Sequence, residues 1–198
     1  RVESMQEFEF GGDVSAKTQI DVMPDAMGKV VAVNVKVGDY VYKDQSIAVI
    51  DASRAGMNYA QSAVKAPISG TITAVNAVVG GVASQQLSVA KIAKTEDLKI
   101  SMNVPERYVS KIQIGQKAEL KFDAYPGEVF EAVITEVSPV LDATSRTMGV
   151  NLELTKRDKR IKAGMFAKVK LITDTHSNIV IVSESALVNR YGDTYVFV

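Results

Sequence analysis

The segment GKVVAVNVKVG, residues 28–38, returns 42 positions later as GTITAVNAVVG, residues 70–80. Both copies are rich in β-branched residues and bounded by glycines, which is typical of short strands joined by tight turns with positive φ. A proline stands just upstream of each copy, Pro24 and Pro67, and a matching strand follows each, residues 45–49 and 85–89. The duplication predicts two half-sandwiches that cover each other's apolar faces.

Composition narrows the classes of protein. Hydrophobic residues make up 46% of the 198 residues and charged residues 23%, which indicates a globular chain. Lys+Arg and Asp+Glu both number 23, so no basic field favours nucleic acid as a partner. With no cysteine, the chain cannot form disulfides, thiolate zinc sites or a cysteine nucleophile. Because the sequence stops at Val198 inside an alternating pattern, we expect it to be a fragment.

The chain is predicted to be all-β, with four parts. Residues 1–12 and 176–198 are expected to be partial pieces of one β domain, and residues 13–93 form the duplicated module. Residues 94–175 are predicted to form a small antiparallel β-barrel, because period-2 alternation recurs at about 117–122, 128–137, 146–154 and 164–173. One short helix is expected from Pro105 to about Lys111, with Val109 and Ile112 facing inward.

No motif predicts catalysis, so the chain is interpreted as a non-enzyme without catalytic residues. His176 is the only histidine, and no nucleophile elbow, P-loop or dinucleotide fingerprint accompanies it. The seven methionines raise the question of a soft-metal site, since thioethers suit Cu(I). Met23 and Met27 are four residues apart, but Pro24 blocks the helix that would align them. We interpret the methionines as core or gap-filling residues and predict neither a metal nor a cofactor.

Three exposed segments are candidates for partner contact. Arg146 follows a polar turn; its guanidinium could pair with Asp142 and lock that turn, or could contact a partner. The basic run at 156–160 is either a solvated hairpin tip or a contact with a transporter or lipid headgroups. The triplet Met57, Asn58 and Tyr59 is either a contact tip or a self-packed loop.

Six short motifs occur in the order typical of one family. They are GDYV at 38–41, KAPISG at 65–70, VPE at 104–106, DATSRT at 142–147, KAGM at 162–165 and SESAL at 183–187. Together they resemble the HlyD-like periplasmic adaptors, or membrane fusion proteins, of tripartite efflux pumps. Two departures are visible, since KAGM and SESAL lack the proline usual in the family. The duplicated module then resembles a biotinyl/lipoyl-like β-sandwich, and the end pieces resemble parts of a membrane-proximal domain.

The connector between the two half-motifs distinguishes two classes of protein that contain this sandwich, carrier domains and efflux-pump adaptors. Carrier domains of biotin- or lipoate-dependent enzymes, the alternative function, need a lysine about seven residues before the Ala-Pro at 66–67, and counting back reaches Tyr59. The connector Ala52–Ala63 holds no lysine. Most adaptors place a long helical hairpin here, yet twelve residues of helix would span only about 18 Å. The chain therefore resembles an adaptor that lacks the hairpin.

The resemblance implies a non-enzymatic adaptor in the periplasm, anchored to the inner membrane. Its expected partners are an inner-membrane transporter, an outer-membrane channel and further copies of itself in a ring. A transporter of the resistance-nodulation-division (RND) type is the first expectation and an ATP-binding-cassette exporter the second. The exported drug or solute is left open.

Overall fold

A computed structural model describes residues 2–53, 61–179, 187–190 and 193–196, with side chains described at 8–53 and 61–171. These residues are almost entirely β, as the sequence predicts. The strands are β1 Val2–Ala16, β2 Gln19–Val22, β3 Gly28–Val33, β4 Tyr40–Val41, β5 Ser46–Asp51, β6 Gln61–Lys65, β7 Gly70–Val75, β8 Val82–Ala83, β9 Ala90–Ala93, β10 Leu98–Pro105, β11 Lys117–Phe122, β12 Phe130–Asp142, β13 Thr147–Leu154, β14 Phe166–Ile179, β15 Leu187–Arg190 and β16 Asp193–Val196. In this part of the chain, no helix has the length and hydropathy that a bilayer crossing requires.

The duplicated module is a sandwich of two four-stranded sheets, ordered β2-β9-β7-β4 and β6-β5-β3-β8. Each sheet takes strands from both halves of the repeat, so neither half is a sheet by itself. Alternating apolar residues point between the sheets, as the β-branched pattern requires. The core is formed by Val22, Val30, Val35, Val41, Ile47, Ala48, Ile50, Val64, Ala66, Ile72, Ala83, Val89, Ala90 and Ile92. Full burial of each large aliphatic side chain stabilises the fold by about 1.5–3 kcal/mol.

The two halves repeat each other in their hydrogen bonds as well as in sequence. The Gly38 N–H donates to the Ile72 carbonyl, and 42 residues later the Gly80 N–H donates to the Val30 carbonyl, both at 2.8 Å. Gly38 and Gly80 have φ values of 95° and 89°, which confirms the positive φ expected at these turns. The sandwich therefore has an internal pseudo-twofold relation with a period of 42 residues.

The same period corrects one part of the sequence alignment. The Asn34 N–H donates to the Ile47 carbonyl at 2.7 Å, and the Asn76 N–H donates to the Val89 carbonyl at 2.9 Å. Ile47 therefore corresponds to Val89. The closing strand at 46–49 matches residues 88–91, and the match to 85–89 was wrong by two residues. The polar residues at 85–86 belong to the turn before the strand, and the predicted match wrongly included them in the strand.

The remaining long strands form a closed barrel in the order β1-β10-β13-β12-β11-β14. The predicted strands at 117–122 and 146–154 agree closely with β11 and β13, while β12 and β14 extend further than expected. The predicted helix is a 3-10 helix, Glu106–Lys111, in which no residue is fully buried. Ile112, which follows it, is buried, and Val109 is half-buried. The barrel interior is filled by residues that include Ile100, Met102, Val104, Ala118, Leu120, Phe122, Phe130, Ala132, Ile134, Met148, Val150, Leu152, Ala167, Val169 and Leu171.

The chain divides into two compact units. One comprises residues 13–101 and 156–165, and the other residues 1–12, 102–155 and 166–198. Residues 1–12 were assigned above to a partial membrane-proximal piece, whereas the strand order places β1 in the barrel and pairs β15 with β16. The backbone of His176 lies within β14. The domain boundaries at 93 and 175 stay predictions.

Candidate functional site

The candidate site is the end of the β12–β13 hairpin. Asp142 pairs with Thr147, and Leu141 pairs with Met148, while the next pair inward joins Val137 to Val150. Three residues of β12 therefore oppose one residue of β13, and this bulge sets the last turn apart from the regular ladder. The Ser138 hydroxyl closes the bulge by donating to the Val140 carbonyl at 2.8 Å.

The turn is held by the Asp142 carboxylate. Its Oδ1 accepts hydrogen bonds from the Thr144 N–H at 2.9 Å and the Ser145 N–H at 2.8 Å. The Ser145 hydroxyl donates to the same oxygen at 3.1 Å and also contacts the Thr147 hydroxyl at 2.7 Å. The hydrogen bonds from Ser145 and Thr144 stabilise the charged carboxylate and hold the pKa of Asp142 below its usual value.

Arg146 does not lock this turn through its side chain, so that interpretation was wrong. The Asp142 carboxylate is bonded to backbone and hydroxyl donors, and no described residue forms a hydrogen bond or ion pair with the guanidinium. The backbone of Arg146 is fixed instead: its N–H donates to the Asp142 carbonyl at 2.8 Å, and its carbonyl accepts from the Glu106 N–H at 3.1 Å. The structure thus holds the main chain and presents an exposed, unpaired cation.

The backbone conformation of Arg146 supports a role for that cation. Its φ is 52°, in the left-handed region that favours glycine. For an arginine, this left-handed conformation costs about 1–2 kcal/mol relative to the right-handed one. Strain of this kind clusters at sites where a side chain is needed for function.

Two apolar residues beside Arg146 were missed by the sequence reasoning. Val140 and Leu141 are both exposed on the same hairpin end. The sequence signal was present, since an apolar pair directly precedes the polar turn, but residues 140 and 141 lie beyond the strand predicted at about 128–137. Val140, Leu141 and Arg146 are thus three exposed residues, two apolar and one positively charged, at one end of the hairpin, and we call these three residues the hairpin tip. Such a surface suits contact with a protein partner.

The basic run at 156–160 uses part of its charge internally. Arg157 pairs with Asp97 at 2.7 Å, and Arg160 pairs with Asp158 at 2.9 Å. The Arg160 hydrogen bond lowers the pKa of Asp158. Exposed pairs of this kind contribute little stability but neutralise two of the four cations. This supports the solvated-tip interpretation more than the lipid interpretation.

The connector is shorter than predicted. β5 ends at Asp51 and β6 begins at Gln61, so nine residues join the strands, and residues 61–63 belong to β6. Met57, Asn58 and Tyr59 lie outside the described residues, and their contact role stays a prediction. Lys65 lies inside β6, where a tethered carrier arm would be poorly presented.

The methionine prediction was wrong for two of the seven. Met23 and Met27 are exposed, because Pro24 and the turn after it keep this segment outside the sheets, whereas Met102 and Met148 fill the barrel core. No cluster of three or more His, Cys, Asp or Glu side chains with metal-binding geometry is present within residues 8–53 and 61–171.

Two protein-family models match the chain in sequence order. The barrel-sandwich hybrid domain of RND membrane fusion proteins matches residues 18–93, and the CusB-like β-barrel domain matches residues 99–175. These ranges coincide with the sandwich and with most of the barrel, and together they account for most of the chain.

Individual relatives agree with the two models. SilB of Salmonella typhimurium, a membrane fusion protein by its name, is 33% identical over 124 residues, covering 63% of this chain and 29% of SilB. The cation efflux system protein CusB of Escherichia coli O157:H7 is 28% identical over 124 residues, covering 63% of this chain and 30% of CusB. The chain thus spans less than a third of the length of these two relatives.

A solved structure shows the same fold at low identity. MacA from Actinobacillus actinomycetemcomitans superposes with a TM-score of 0.80 at 14% identity, covering 98% of this chain and 89% of the MacA chain. At that identity the likeness establishes the arrangement of strands and nothing about the cargo.

Proposed function

Because this chain belongs to the family of RND membrane fusion proteins, we propose that it is part of a periplasmic adaptor of a tripartite efflux pump. The adaptor joins an inner-membrane transporter of the RND type to an outer-membrane channel and has no enzymatic activity of its own. In this proposal the adaptor is anchored to the inner membrane. The exported compound is a drug or another small solute.

One observation carries the proposal: a pseudo-symmetric sandwich and a closed barrel follow one another in the chain, and both match adaptor domains. A part built this way works by geometry, because rigid β modules hold partners at fixed positions. The link near Lys94 is the candidate hinge through which transporter movement is passed on, whereas His176, the other position expected in a link, lies within β14.

The hairpin tip is the proposed contact with the transporter. Arginine is enriched at interfaces because its planar guanidinium makes several directional hydrogen bonds. In this chain the guanidinium has no described partner, its backbone N–H and carbonyl are both hydrogen-bonded, and two exposed apolar residues lie at the same end of the hairpin. A carboxylate or a carbonyl edge on the transporter would complete the site.

Crosslinking in the cell envelope tests this assignment. A photoreactive residue at Val140, in the full-length protein, is expected to capture an inner-membrane transporter. The same residue at Lys121, an exposed position on β11, is the matched control. Equal capture at both positions, or capture of unrelated proteins at Val140, would exclude the tip as the docking surface.

An adaptor that lacks the helical hairpin must contact the outer-membrane channel through another segment. We propose that the nine-residue connector, with Met57, Asn58 and Tyr59, faces the channel side. Crosslinks from these three positions should identify the outer-membrane channel. Failure there with success at Val140 would leave the transporter contact standing and move the channel contact elsewhere.

A carrier function is disfavoured by the same connector. It holds no lysine, and Lys65 belongs to β6. Intact mass after co-expression with a biotin or lipoate ligase should equal the unmodified mass. A mass increment on a lysine would overturn the adaptor proposal in favour of the carrier.

A further inference from the structure

The two halves of the sandwich have similar backbone turns but differ in the side chains around a surface hollow. In the second half a hollow of about 290 Å³ is lined by residues that include Val30, Val78, Val82, Leu87 and Val89. Three of these lie on the rim and are largely exposed: Val78 is 70% exposed, Val82 73% and Leu87 67%. We call this feature the apolar hollow.

The repeat shows that the fold does not require apolar residues at this rim. At the period of 42, the equivalents of Val78, Val82 and Leu87 are Lys36, Tyr40 and Gln45. The turn hydrogen bonds at these positions recur between the halves: the Asp39 N–H donates to the Lys36 carbonyl as the Gly81 N–H does to the Val78 carbonyl. The Gln45 N–H donates to the Tyr42 carbonyl as the Leu87 N–H does to the Ser84 carbonyl. Three exposed apolar side chains around a hollow, two of them (Val78 and Leu87) at positions whose equivalents are polar, indicate a contact surface.

The first half carries the opposite shape. Tyr40 and Tyr42 are 58% and 68% exposed, and their rings meet edge to face with centroids 5.3 Å apart. Tyr40 lies on β4 and Val82 on β8, and these are the edge strands of the two different sheets. The pseudo-twofold relation thus puts an aromatic projection at one edge and a hollow at the equivalent edge. We call Tyr40 and Tyr42 the aromatic knob.

We propose that the aromatic knob of one copy of this chain inserts into the apolar hollow of a second copy. The hollow is at the lower end of the size range of small-ligand pockets, so it accepts a ring-sized group. Because knob and hollow are different surfaces, the contact is head-to-tail and repeats from copy to copy into a ring or filament. The inference rests on the ring assembly in the proposed function and names the surface that forms it.

The area involved sets the strength of the contact. The exposed parts of the two rings amount to about 250 Å². With a similar area from the hollow, the total stays well below the roughly 1,200 Å² of the smallest specific stable interfaces. We therefore expect a weak contact, which dissociates when purified copies are diluted and forms where copies are held side by side.

Cysteine crosslinking of the purified chain tests the proposal, because these 198 residues contain no cysteine. Lys43→Cys is placed beside the knob and Gln86→Cys beside the hollow, and both positions are exposed. Mixed at about 1 mM and oxidised, the two variants should form a disulfide dimer about tenfold faster than either alone. The matched control pairs Lys43→Cys with Lys65→Cys, an exposed position on β6 at the other edge of the sheet that holds β8, and should give only background.

Surface variants decide whether the knob and hollow cause the crosslink. Adding Tyr40→Ser and Tyr42→Ser to the first partner, or Val82→Lys to the second, should lower the rate about tenfold with unchanged thermal unfolding. Equal rates with and without the tyrosines, or faster reaction of Lys43→Cys with itself, would overturn the proposal. Because the assay needs no transporter, its failure leaves the pump assignment intact, and loss of the pump assignment leaves this contact testable.

Discussion

Replacing Arg146 by glycine separates the strain of its backbone from the use of its side chain. The φ of 52° puts an L-residue about 1–2 kcal/mol above glycine. Glycine also gains entropy in the unfolded chain, which offsets about 0.5–1 kcal/mol of that difference. No described hydrogen bond or ion pair of the guanidinium is lost. Arg146→Gly should therefore leave the free energy of unfolding unchanged or raise it by up to about 1.5 kcal/mol.

The same substitution should damage function. An interface arginine that acts as a hot spot contributes at least about 2 kcal/mol, which corresponds to roughly 30-fold in affinity. Binding of the full-length adaptor to detergent-solubilised transporter should weaken by about that factor, and resistance in cells should fall with it. Arg146→Lys should recover part of the binding, because the charge is kept and the fork is lost.

Urea unfolding of the purified chain and the binding measurement must be read together. Arg107→Ala is the control, since this arginine is also exposed on the same unit and stacks over Tyr108. A loss of more than about 1 kcal/mol in Arg146→Gly would mean that the side chain stabilises the turn after all. Stability and binding both unchanged would refute the assignment of Arg146 to the interface.

Three further outcomes are expected from the described geometry. Gly28→Ala should lower the free energy of unfolding, measured in urea, by about 3–5 kcal/mol, because the added Cβ would lie 2.0 Å from a backbone carbonyl oxygen of the neighbouring strand. Gly38→Ala is the control: its added Cβ meets nothing within 4 Å, so it should lose only about 1–2 kcal/mol because of its positive φ. Gly11→Ala should stay within about 1 kcal/mol, because the obstacle is the far end of the exposed Phe166 ring, which can move; a larger loss in a thermal melt would show that the ring is held. The folded pKa of Asp142 is lowered, so its contribution to stability is present above the unfolded pKa and is lost as pH falls through the folded pKa. The difference in the free energy of unfolding between the natural chain and Asp142→Ala should therefore shrink as pH falls below the unfolded pKa. A difference that stays constant with pH would contradict the stabilising role of the carboxylate.

The fold was accessible from the sequence because its determinants are local. Glycines at 38 and 80 allow two turns by their positive φ. The β-branched segments form two sheets, which bury their apolar faces by packing against each other. Six spaced motifs then predicted the order of sandwich and barrel. The alignment slipped only at residues 85–86, where polar residues of a turn resemble polar residues of a strand.

The sites were less accessible, because they depend on which backbone groups a side chain meets. The sequence shows an acid and a base four residues apart at 142 and 146, and pairing is the simplest expectation. The structure satisfies Asp142 with the Ser145 and Thr144 amides instead, and a left-handed φ at Arg146 presents its side chain unpaired. Neither fact follows from residue types or spacing.

The duplication also separates what the fold requires from what it does not. Val30 and Ile72 are equivalent, both buried, and both apolar, as a shared core demands. Lys36 and Val78 are equivalent and both exposed, yet they differ in character. Since the two backbones make the same hydrogen bonds, the second difference cannot be attributed to folding. In a duplicated domain, each half therefore serves as a comparison for the other. Contact with another molecule is expected first at exposed positions that are polar in one half and apolar in the other.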